Sequence, residues 1–171
     1  MPEPLRTLKK LQNSAPCPCA AKKLEASRRS VKSYVDFVLT FEEVAGMFNA
    51  KEIFFADLPE DKPLREASGD GRGFAASGGV AKAVVNYIKK LDPNRNVKVV
   101  SAEGLDNCKK MLKLAKAGKY NGYLLEGMAC PGGCIAGAST LRPINKAAQA
   151  LAESQKSADF TQAADVSPLH P

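Results

Sequence analysis

The chain has 171 residues, a net charge of +7 and a sequence pI near 9.2, and 25% of its residues are charged. The lysines are scattered, often in pairs, with no long basic run and no tryptophan, so solvated helix faces explain the charge better than a nucleic-acid partner. No stretch approaches the 18 apolar residues of a membrane span. The only histidine, His170, leaves no base for a Ser–His or Cys–His nucleophile and no imidazole-based zinc site.

The first predicted elements are a strand and a helix. Residues 34–39 (YVDFVL) predict a short buried strand. Thr40 follows, with Glu43 three residues later, which is the pattern of a capping box at the start of a helix over residues 41–50. Residues 56–73, which contain two prolines and three glycines, predict a long surface loop.

Helical and strand patterns alternate in the remainder. Apolar residues spaced along one face predict a helix over 80–91, with Ser77 as a candidate N-cap. The elements predicted after it are a strand at 97–100, a helix at 105–117 ended by Gly118, a strand at 123–125 and a helix at 144–155.

This order predicts an α/β fold with a mostly parallel sheet flanked by helices. In such folds, binding sites lie beyond the C-terminal ends of the strands, where the loop beginning at Met128 is placed. Residues 1–15 are polar and lack a strand pattern. The predicted domains are a polar N-terminal extension at 1–17, one domain at 18–156 and a disordered tail at 157–171.

Two cysteines, Cys130 and Cys134, lie in that loop with Pro-Gly-Gly between them. Proline fixes the backbone, glycine allows the chain to approach a bulky ligand closely, and exposed N–H groups of such a loop can donate to an anion. Thiolates are the usual ligands of iron–sulfur clusters, although a C-x₃-C spacing also fits core or redox thiols.

No apolar core follows Lys9 and Lys10, so we predict no signal peptide and a cytoplasmic protein. In that compartment, clustered cysteines indicate metal or thiol chemistry.

The other three cysteines differ in setting. Cys17 and Cys19 precede Lys22, whose charge can favour a thiolate or pair with an anionic ligand, but a solvated basic turn that opens a helix also fits. Cys108 falls on the apolar face of the predicted 105–117 helix and is interpreted as a buried, inert thiol.

Three segments together carry a family resemblance. The segment at 126–137 (EGMACPGGCIAG) strongly resembles the last signature of the iron-only ([FeFe]) hydrogenases, and 18–25 (PCAAKKLE) resembles their middle signature. Residues 73–80 (GFAASGGV) look like the Gly-Gly-Val turn of the same domain. The segments occur in the family's order and cover roughly residues 18–150, about one lobe of its two-lobed domain. The resemblance therefore implies that the domain predicted at 18–156 is a partial iron-hydrogenase-like domain.

The resemblance implies an H-cluster. In that family, the residues matching Cys19 and Cys130 ligate a [4Fe–4S] cubane, and the residue matching Cys134 bridges the cubane to a diiron unit that carries CO and CN⁻ ligands. The implied chemistry is reversible formation of H₂ from protons and electrons. Lys22 matches a lysine that binds a cyanide ligand, and Met128 matches a methionine packed against the diiron centre.

Further expectations follow from the same resemblance. Glu25 matches a carboxylate at the edge of the pocket, where it can pair with a basic side chain. The family's first signature, of the form T-S-C-C-P, which supplies the fourth cubane ligand, is not found in this sequence, and Cys17 is a weaker candidate for that ligand. The implied partners are a missing N-terminal hydrogenase lobe or a ferredoxin-like electron donor, and we expect the chain to be inactive alone.

Two alternatives remain open. After Cys134 the sequence continues as GASTL at 137–141, which looks more like sensory or less-studied subgroups than the catalytic members. A non-catalytic [4Fe–4S] module with a sensory or interaction role is therefore one alternative. A remnant that binds no cluster is the other.

Overall fold

The computed structural model describes residues 14–28, 30, 35–59, 67–162 and 165, which form two compact units. The first unit comprises Met1–Asp61 with Gly137–Leu141, and the second comprises Lys62–Ala136 with Arg142–Pro171, each in its described part. Both units combine helices with a pair of parallel strands, which confirms the predicted α/β class. The predicted domain boundaries remain a prediction.

In the first unit, two parallel strands are paired with each other, and a short helix connects them along the chain. Strand β1 (Ser14–Cys17) pairs with β2 (Phe37–Thr40), with Cys17 opposite Thr40, and helix α1 (Ala21–Ser27) lies between them in the chain. Helix α2 (Phe41–Ala50) and a 3₁₀ turn at Phe55–Asp57 follow. Strand β1 was not predicted, because SAPC lacks alternation and the strand is defined by backbone pairing with β2.

Helix α2 begins with the predicted capping box. The Thr40 hydroxyl accepts from the Glu43 N–H at 3.2 Å, and the Glu43 carboxylate accepts from the Thr40 N–H at 2.8 Å. Lys23 also forms an ion pair with Glu43. This pairing and the hydrogen bonds from Thr40 lower the pKa of Glu43 from 4.5 to about 2. The predicted helix over 41–50 is confirmed.

The second unit is organised around another pair of parallel strands, β3 and β4, which are paired from Lys98 opposite Tyr123 to Glu103 opposite Met128. In chain order its elements are α3 (Gly69–Arg72), a 3₁₀ turn (Gly73–Ala75), α4 (Gly79–Leu91), β3 (Lys98–Glu103), α5 (Leu105–Lys116), β4 (Tyr123–Met128), a 3₁₀ turn (Cys134–Ala136) and α6 (Ile144–Lys156). The helices and strands predicted after residue 80 are therefore confirmed, with the strands longer than predicted.

Helix α3 lies where a loop was predicted over 56–73. The Ser68 hydroxyl accepts from the Gly71 N–H at 3.0 Å and caps this helix. The buried Asp70 carboxylate accepts from the Asn86 amide, whose nitrogen lies 3.0 Å from both carboxylate oxygens. The loop prediction was therefore wrong for residues 69–72. It rested on the local glycine and proline content, which gives no information about the contact with Asn86 on another helix.

The segment after α6 also differs from the predicted disordered tail over 157–171. The carbonyl groups of Phe160 and Thr161 accept from the N–H groups of Gly69 and Asp70 at 2.7 and 2.9 Å. Lys90 pairs with Asp165. Residues 160 and 161 are therefore held against α3, while 163, 164 and 166–171 lie outside the described residues.

Few apolar side chains are fully enclosed. Among the described residues, only Ala81 and Met111 are apolar and less than a tenth exposed. Several large apolar side chains are more than half exposed, among them Phe37, Met47, Phe54, Phe55 and Leu58 of the first unit. Within the described part of the chain, we find no helix whose length and apolar character would let it cross a membrane.

Candidate functional site

Both cysteine segments begin where a parallel strand ends. Cys17 is the last residue of β1 and Cys19 follows two residues later, whereas Cys130 comes two residues after the end of β4. The predicted placement of the loop beginning at Met128, at the C-terminal end of a parallel strand, is therefore observed in the second unit. The five cysteines all lie in the described part of the chain, and each is half-buried and outside any disulfide.

In the first unit, Lys22 and Glu25 lie on α1 directly after Cys19. The Lys22 Nζ lies 2.5 Å from a Glu25 carboxylate oxygen, and both side chains are about half exposed. The hydrogen bond to Glu25 raises the pKa of Lys22, partial burial opposes that shift, and the nearby Cys19 and Cys17 thiols add to it. Lys22 is therefore a cation held beside two thiols, able to pair with an anionic ligand.

A cavity of about 250 Å³ lies beside this pair. Its lining includes Cys17, Lys22 and Glu25 together with the apolar residues Val35 and Val38. The cavity therefore combines a thiol, a cation and an apolar wall, all within the first unit.

The segment that follows the second cysteine motif belongs to the first unit as well. The N–H of the buried Ser139 donates to the Pro18 carbonyl at 3.1 Å, next to Cys19. The carbonyl of Gly137 accepts from the N–H and the hydroxyl of Thr140 at 3.2 and 2.9 Å. The backbone before Cys19 is thus fixed by a segment that lies far away in the sequence.

In the second unit, the loop carrying Cys130 and Cys134 lies against the turn before α4. Gly133 forms an antiparallel bridge with Ala76, and the Ser77 N–H donates to the Gly132 carbonyl at 3.3 Å. A Cβ atom on Gly133 would lie 2.5 Å from the Ser77 nitrogen, and its φ of 88° favours glycine. Gly133 therefore permits a close backbone contact within the second unit.

The N–H groups of this loop are largely engaged with the protein itself. Gly132 donates to the Glu103 carboxylate at 2.8 Å, and Gly133 donates to the Cys130 carbonyl at 3.0 Å. The Ser77 hydroxyl also donates to Glu103, and the hydrogen bonds from Ser77 and Gly132 lower the pKa of the Glu103 carboxyl. These two glycine N–H groups are therefore not the exposed anion donors that the sequence suggested.

Glu126, the first residue of the last signature, contacts the start of α4. Its buried carboxylate accepts from the N–H groups of Val80 and Ala81 at 3.1 and 3.2 Å, and from the Ser101 hydroxyl at 3.2 Å. The first-turn N–H groups of a helix have no partner within the helix, and a carboxylate is favourable there. A strand residue therefore stabilises the start of the helix.

Ser77 is not the N-cap of α4, contrary to the prediction. The N-cap is Gly78, which has a φ of 82° and makes no side-chain cap hydrogen bond. Glu126 accepts from the first-turn N–H groups, and the Ser77 hydroxyl donates to Glu103. The sequence could not distinguish these two arrangements, because both acceptors come from distant strands.

Met128 and Cys108 lie at the end of the β3–β4 pair. The Met128 carbonyl accepts from the Gly104 N–H at 2.9 Å and from the Cys108 thiol at 3.6 Å. Cys108 also contacts the Ala102 carbonyl at 3.5 Å and is half-buried rather than fully buried. Its thiol is thus used in packing α5 against the strands.

The predicted site residues are divided between the units. Cys19, Lys22 and Glu25 lie in the first unit, and Met128, Cys130 and Cys134 lie in the second. Within the described residues, no three His, Cys, Asp or Glu side chains are grouped to bind a single metal ion. The chemistry of the donor set, half-buried thiols outside disulfides, fits a cluster whose irons each take one thiolate.

Comparison with known proteins finds a matching family and two groups of relatives. Residues 15–138 match a family described as "Iron only hydrogenase large subunit, C-terminal domain". The periplasmic [Fe] hydrogenase large subunit of Nitratidesulfovibrio vulgaris is 32% identical over 153 residues, which cover 70% of this chain and 36% of that protein. A probable cytosolic Fe–S cluster assembly factor of Aedes aegypti is 27% identical over 173 residues, covering 74% of this chain and 35% of that protein.

Solved structures share the fold. An apo [FeFe]-hydrogenase HydA1 from Chlamydomonas reinhardtii has a TM-score of 0.62 and 22% sequence identity, covering 91% of this chain and 55% of that chain. A second HydA1 structure gives a TM-score of 0.62 at 21% identity, covering 90% and 56%. The chain spans about a third of the length of these curated relatives and about half of these solved chains.

Proposed function

Because this chain belongs to the family of the iron-only hydrogenase large subunit, C-terminal domain, we propose that it forms part of an H-cluster-type iron–sulfur site. The observation that carries the proposal is the position of its thiols. Cys19 and Cys130 each follow the C-terminal end of a parallel strand inside the matched region 15–138, and Cys134 closes the Pro-Gly-Gly loop.

In this proposal, Cys19 and Cys130 ligate a [4Fe–4S] cubane and Cys134 joins the cubane to a diiron unit with CO and CN⁻ ligands. When bound, that group supplies reversible proton reduction to H₂. Lys22 is proposed to pair with an anionic cyanide ligand, which its ammonium can stabilise. Glu25 orients Lys22 through their ion pair.

Met128 completes the proposed set. As the last residue of β4, it leads directly into the cysteine loop, and its backbone is fixed by the Gly104 hydrogen bond. Its flexible thioether side chain is suited to packing against an irregular inorganic group. The role proposed for Met128 is therefore to exclude water beside the diiron unit.

A cubane site requires one more ligand than the thiolates of Cys19, Cys130 and Cys134 supply. These three thiolates account for three irons, and the fourth ligand would come from a further hydrogenase lobe, as would the wall that encloses the cluster. The relatives are parts of larger hydrogenase proteins, which supports this partner. A ferredoxin-like protein is the proposed electron donor, and the cytoplasm is the proposed compartment. We expect that this chain alone does not turn over H₂.

A second function is favoured by a specific observation. Several relatives carry the name of probable cytosolic Fe–S cluster assembly factors, at 27–32% identity over 166–173 residues. The Gly137–Leu141 segment also departs from the catalytic signature. A non-catalytic [4Fe–4S]-binding module with a sensory or interaction role is therefore the alternative.

Reconstitution with iron and sulfide under anaerobic conditions tests cluster binding. We expect near-cubane iron and sulfide content and a reducible paramagnetic signal, both reduced strongly in Cys130→Ser. Cys108→Ser is the matched control, because that half-buried thiol contacts backbone carbonyls and is not assigned to the cluster. Equal iron content in both variants and the unsubstituted chain would contradict the proposed ligands.

Infrared spectroscopy separates the two functions. After exposure to the hydrogenase maturation machinery, CO and CN⁻ bands that are lost in Cys134→Ala would support the H-cluster. A cubane without such bands would favour the non-catalytic module.

An H₂ assay with reduced viologen as the electron donor tests activity. Turnover well above the Cys134→Ala control would refute the expectation that this chain is inactive alone.

A further inference from the structure

Glu103 contacts the cysteine loop, although it lies outside every signature segment. It is the last residue of β3, opposite Met128 in the strand register, and is half-buried. Its carboxylate accepts from the Gly132 N–H at 2.8 Å and from the Ser77 hydroxyl. One side chain therefore connects the end of β3, the turn before α4 and the loop.

Gly132 is the midpoint between Cys130 and Cys134, and both of its backbone polar groups are bonded. Its N–H donates to Glu103, while its carbonyl accepts from the Ser77 N–H at 3.3 Å. Ser77 and Glu103 are themselves hydrogen-bonded. These three residues thus form a closed set of contacts around the centre of the loop.

We propose that Glu103 is a positioning residue for this loop, fixing the Gly132 peptide and thereby the backbone on which Cys130 and Cys134 are presented as thiolate ligands. The ligand part of this inference rests on the proposed cluster-binding function. A carboxylate suits the role, because a hydrogen bond to an ionised acceptor is about twice as strong as one between neutral groups. Alanine at position 103 would leave the Gly132 N–H without this acceptor.

Amide hydrogen exchange on the full apo chain tests the contact without any cluster. For Glu103→Ala we expect exchange at Gly132 to accelerate about tenfold, because a hydrogen bond to a charged group is among the stronger hydrogen bonds of a protein. Glu103→Gln keeps an acceptor oxygen and should show a smaller increase. Glu153→Ala, at an exposed glutamate of α6 in the same unit, should leave this exchange unchanged.

Cluster retention tests the consequence. With reconstituted protein and an iron chelator, Glu103→Ala should lose its cluster about tenfold faster than the unsubstituted chain. Glu103→Gln should restore much of the retention, and Glu153→Ala should behave like the unsubstituted chain. A general loss of folding would not produce this rescue by glutamine, and circular dichroism monitors the fold of each variant.

Each outcome decides the question. Unchanged exchange at Gly132 in Glu103→Ala would overturn the proposal, as would faster exchange with unchanged cluster retention. If the unsubstituted chain binds no cluster, the proposed function and the ligand role of Glu103 both fail, and accelerated exchange would then show a purely structural contact. If Glu103→Ala does not fold, Glu103→Gln decides, and exchange equal to that of the unsubstituted chain would overturn the inference.

Discussion

Gly79, the first residue of α4, lies so close to the preceding 3₁₀ turn that no side chain fits. A Cβ atom there would lie 1.9 Å from the Gly73 carbonyl oxygen, a backbone atom that cannot rotate away. Gly46, in α2, is the opposite case, since a Cβ atom there would meet nothing within 4 Å. Alanine should therefore have opposite effects on stability at the two positions.

Substitution of both glycines by alanine tests this difference. Gly79→Ala should lower the free energy of unfolding by about 2 kcal/mol or more, because the backbone must move to relieve the overlap. Gly46→Ala should raise it by about 0.5 kcal/mol, because alanine restricts the unfolded chain and favours helix. Urea unfolding followed by circular dichroism measures both, and equal effects would contradict the close contact at Gly79.

A pH dependence follows from Glu43. Its pKa is lowered from 4.5 to about 2 in the folded chain, so its interactions with Lys23 and Thr40 stabilise the fold above pH 4.5. That contribution is lost as the pH falls from 4.5 towards 2, because over this range the unfolded chain takes up a proton at Glu43 whereas the folded chain does not. Unfolding measured across this range should be less pH-dependent in Glu43→Gln than in Glu42→Gln, whose side chain is exposed on the same helix turn. Parallel curves for the two variants would disprove the assignment.

At the scale of elements, Glu126 joins strand β4 to helix α4. Its carboxylate accepts from two first-turn N–H groups of α4 and from Ser101 of β3. The helix start and the strand that leads into the cysteine loop are therefore stabilised by the same side chain.

Removal of this carboxylate should destabilise the second unit. Glu126→Ala leaves the N–H groups of Val80 and Ala81 without their acceptor, at a cost of about 2 kcal/mol. Glu126→Gln, which retains an acceptor oxygen, should cost less. Thermal unfolding provides the measurement with Glu153→Ala as the control, and a Glu126→Ala midpoint equal to that control would show that the contact contributes nothing.

Local patterns predicted the elements whose causes are local. Thr40 and Glu43 are three residues apart, so their capping box was evident from the sequence, and α4, α5 and α6 each carry an apolar stripe. Strand β1 and helix α3 depend on pairing with β2 and on Asn86, and were missed. For the site, the signatures marked Cys19, Cys130 and Cys134, but Glu103 follows no motif. Its only sequence signal is a carboxylate at the C-terminal end of a strand.

At the scale of the whole chain, residues after α6 contact two earlier helices of the second unit. Phe160 and Thr161 accept hydrogen bonds from the first N–H groups of α3, and Asp165 pairs with Lys90 of α4. The C-terminal segment therefore satisfies donors at a helix start that would otherwise require water.

Two truncations test the role of this segment. Deletion of residues 157–171 should lower the free energy of unfolding by about 1 kcal/mol for each lost backbone hydrogen bond. Deletion of residues 166–171 leaves those bonds in place and should have little effect. Chemical unfolding of both chains decides the matter, and equal stability of the two would restore the simpler description of 157–171 as a tail without structural role.

The hydrogen bonds that surround Gly132 have a consequence for ligand uptake. Restricting a loop normally consumes part of the free energy that its ligand supplies. Here the contacts with Glu103 and Ser77 already restrict the Gly132 peptide, which lies midway between Cys130 and Cys134. The conformational entropy of this peptide is therefore lost during folding. Under the proposed function, an iron–sulfur cluster that binds after folding would therefore retain more of its interaction energy as affinity.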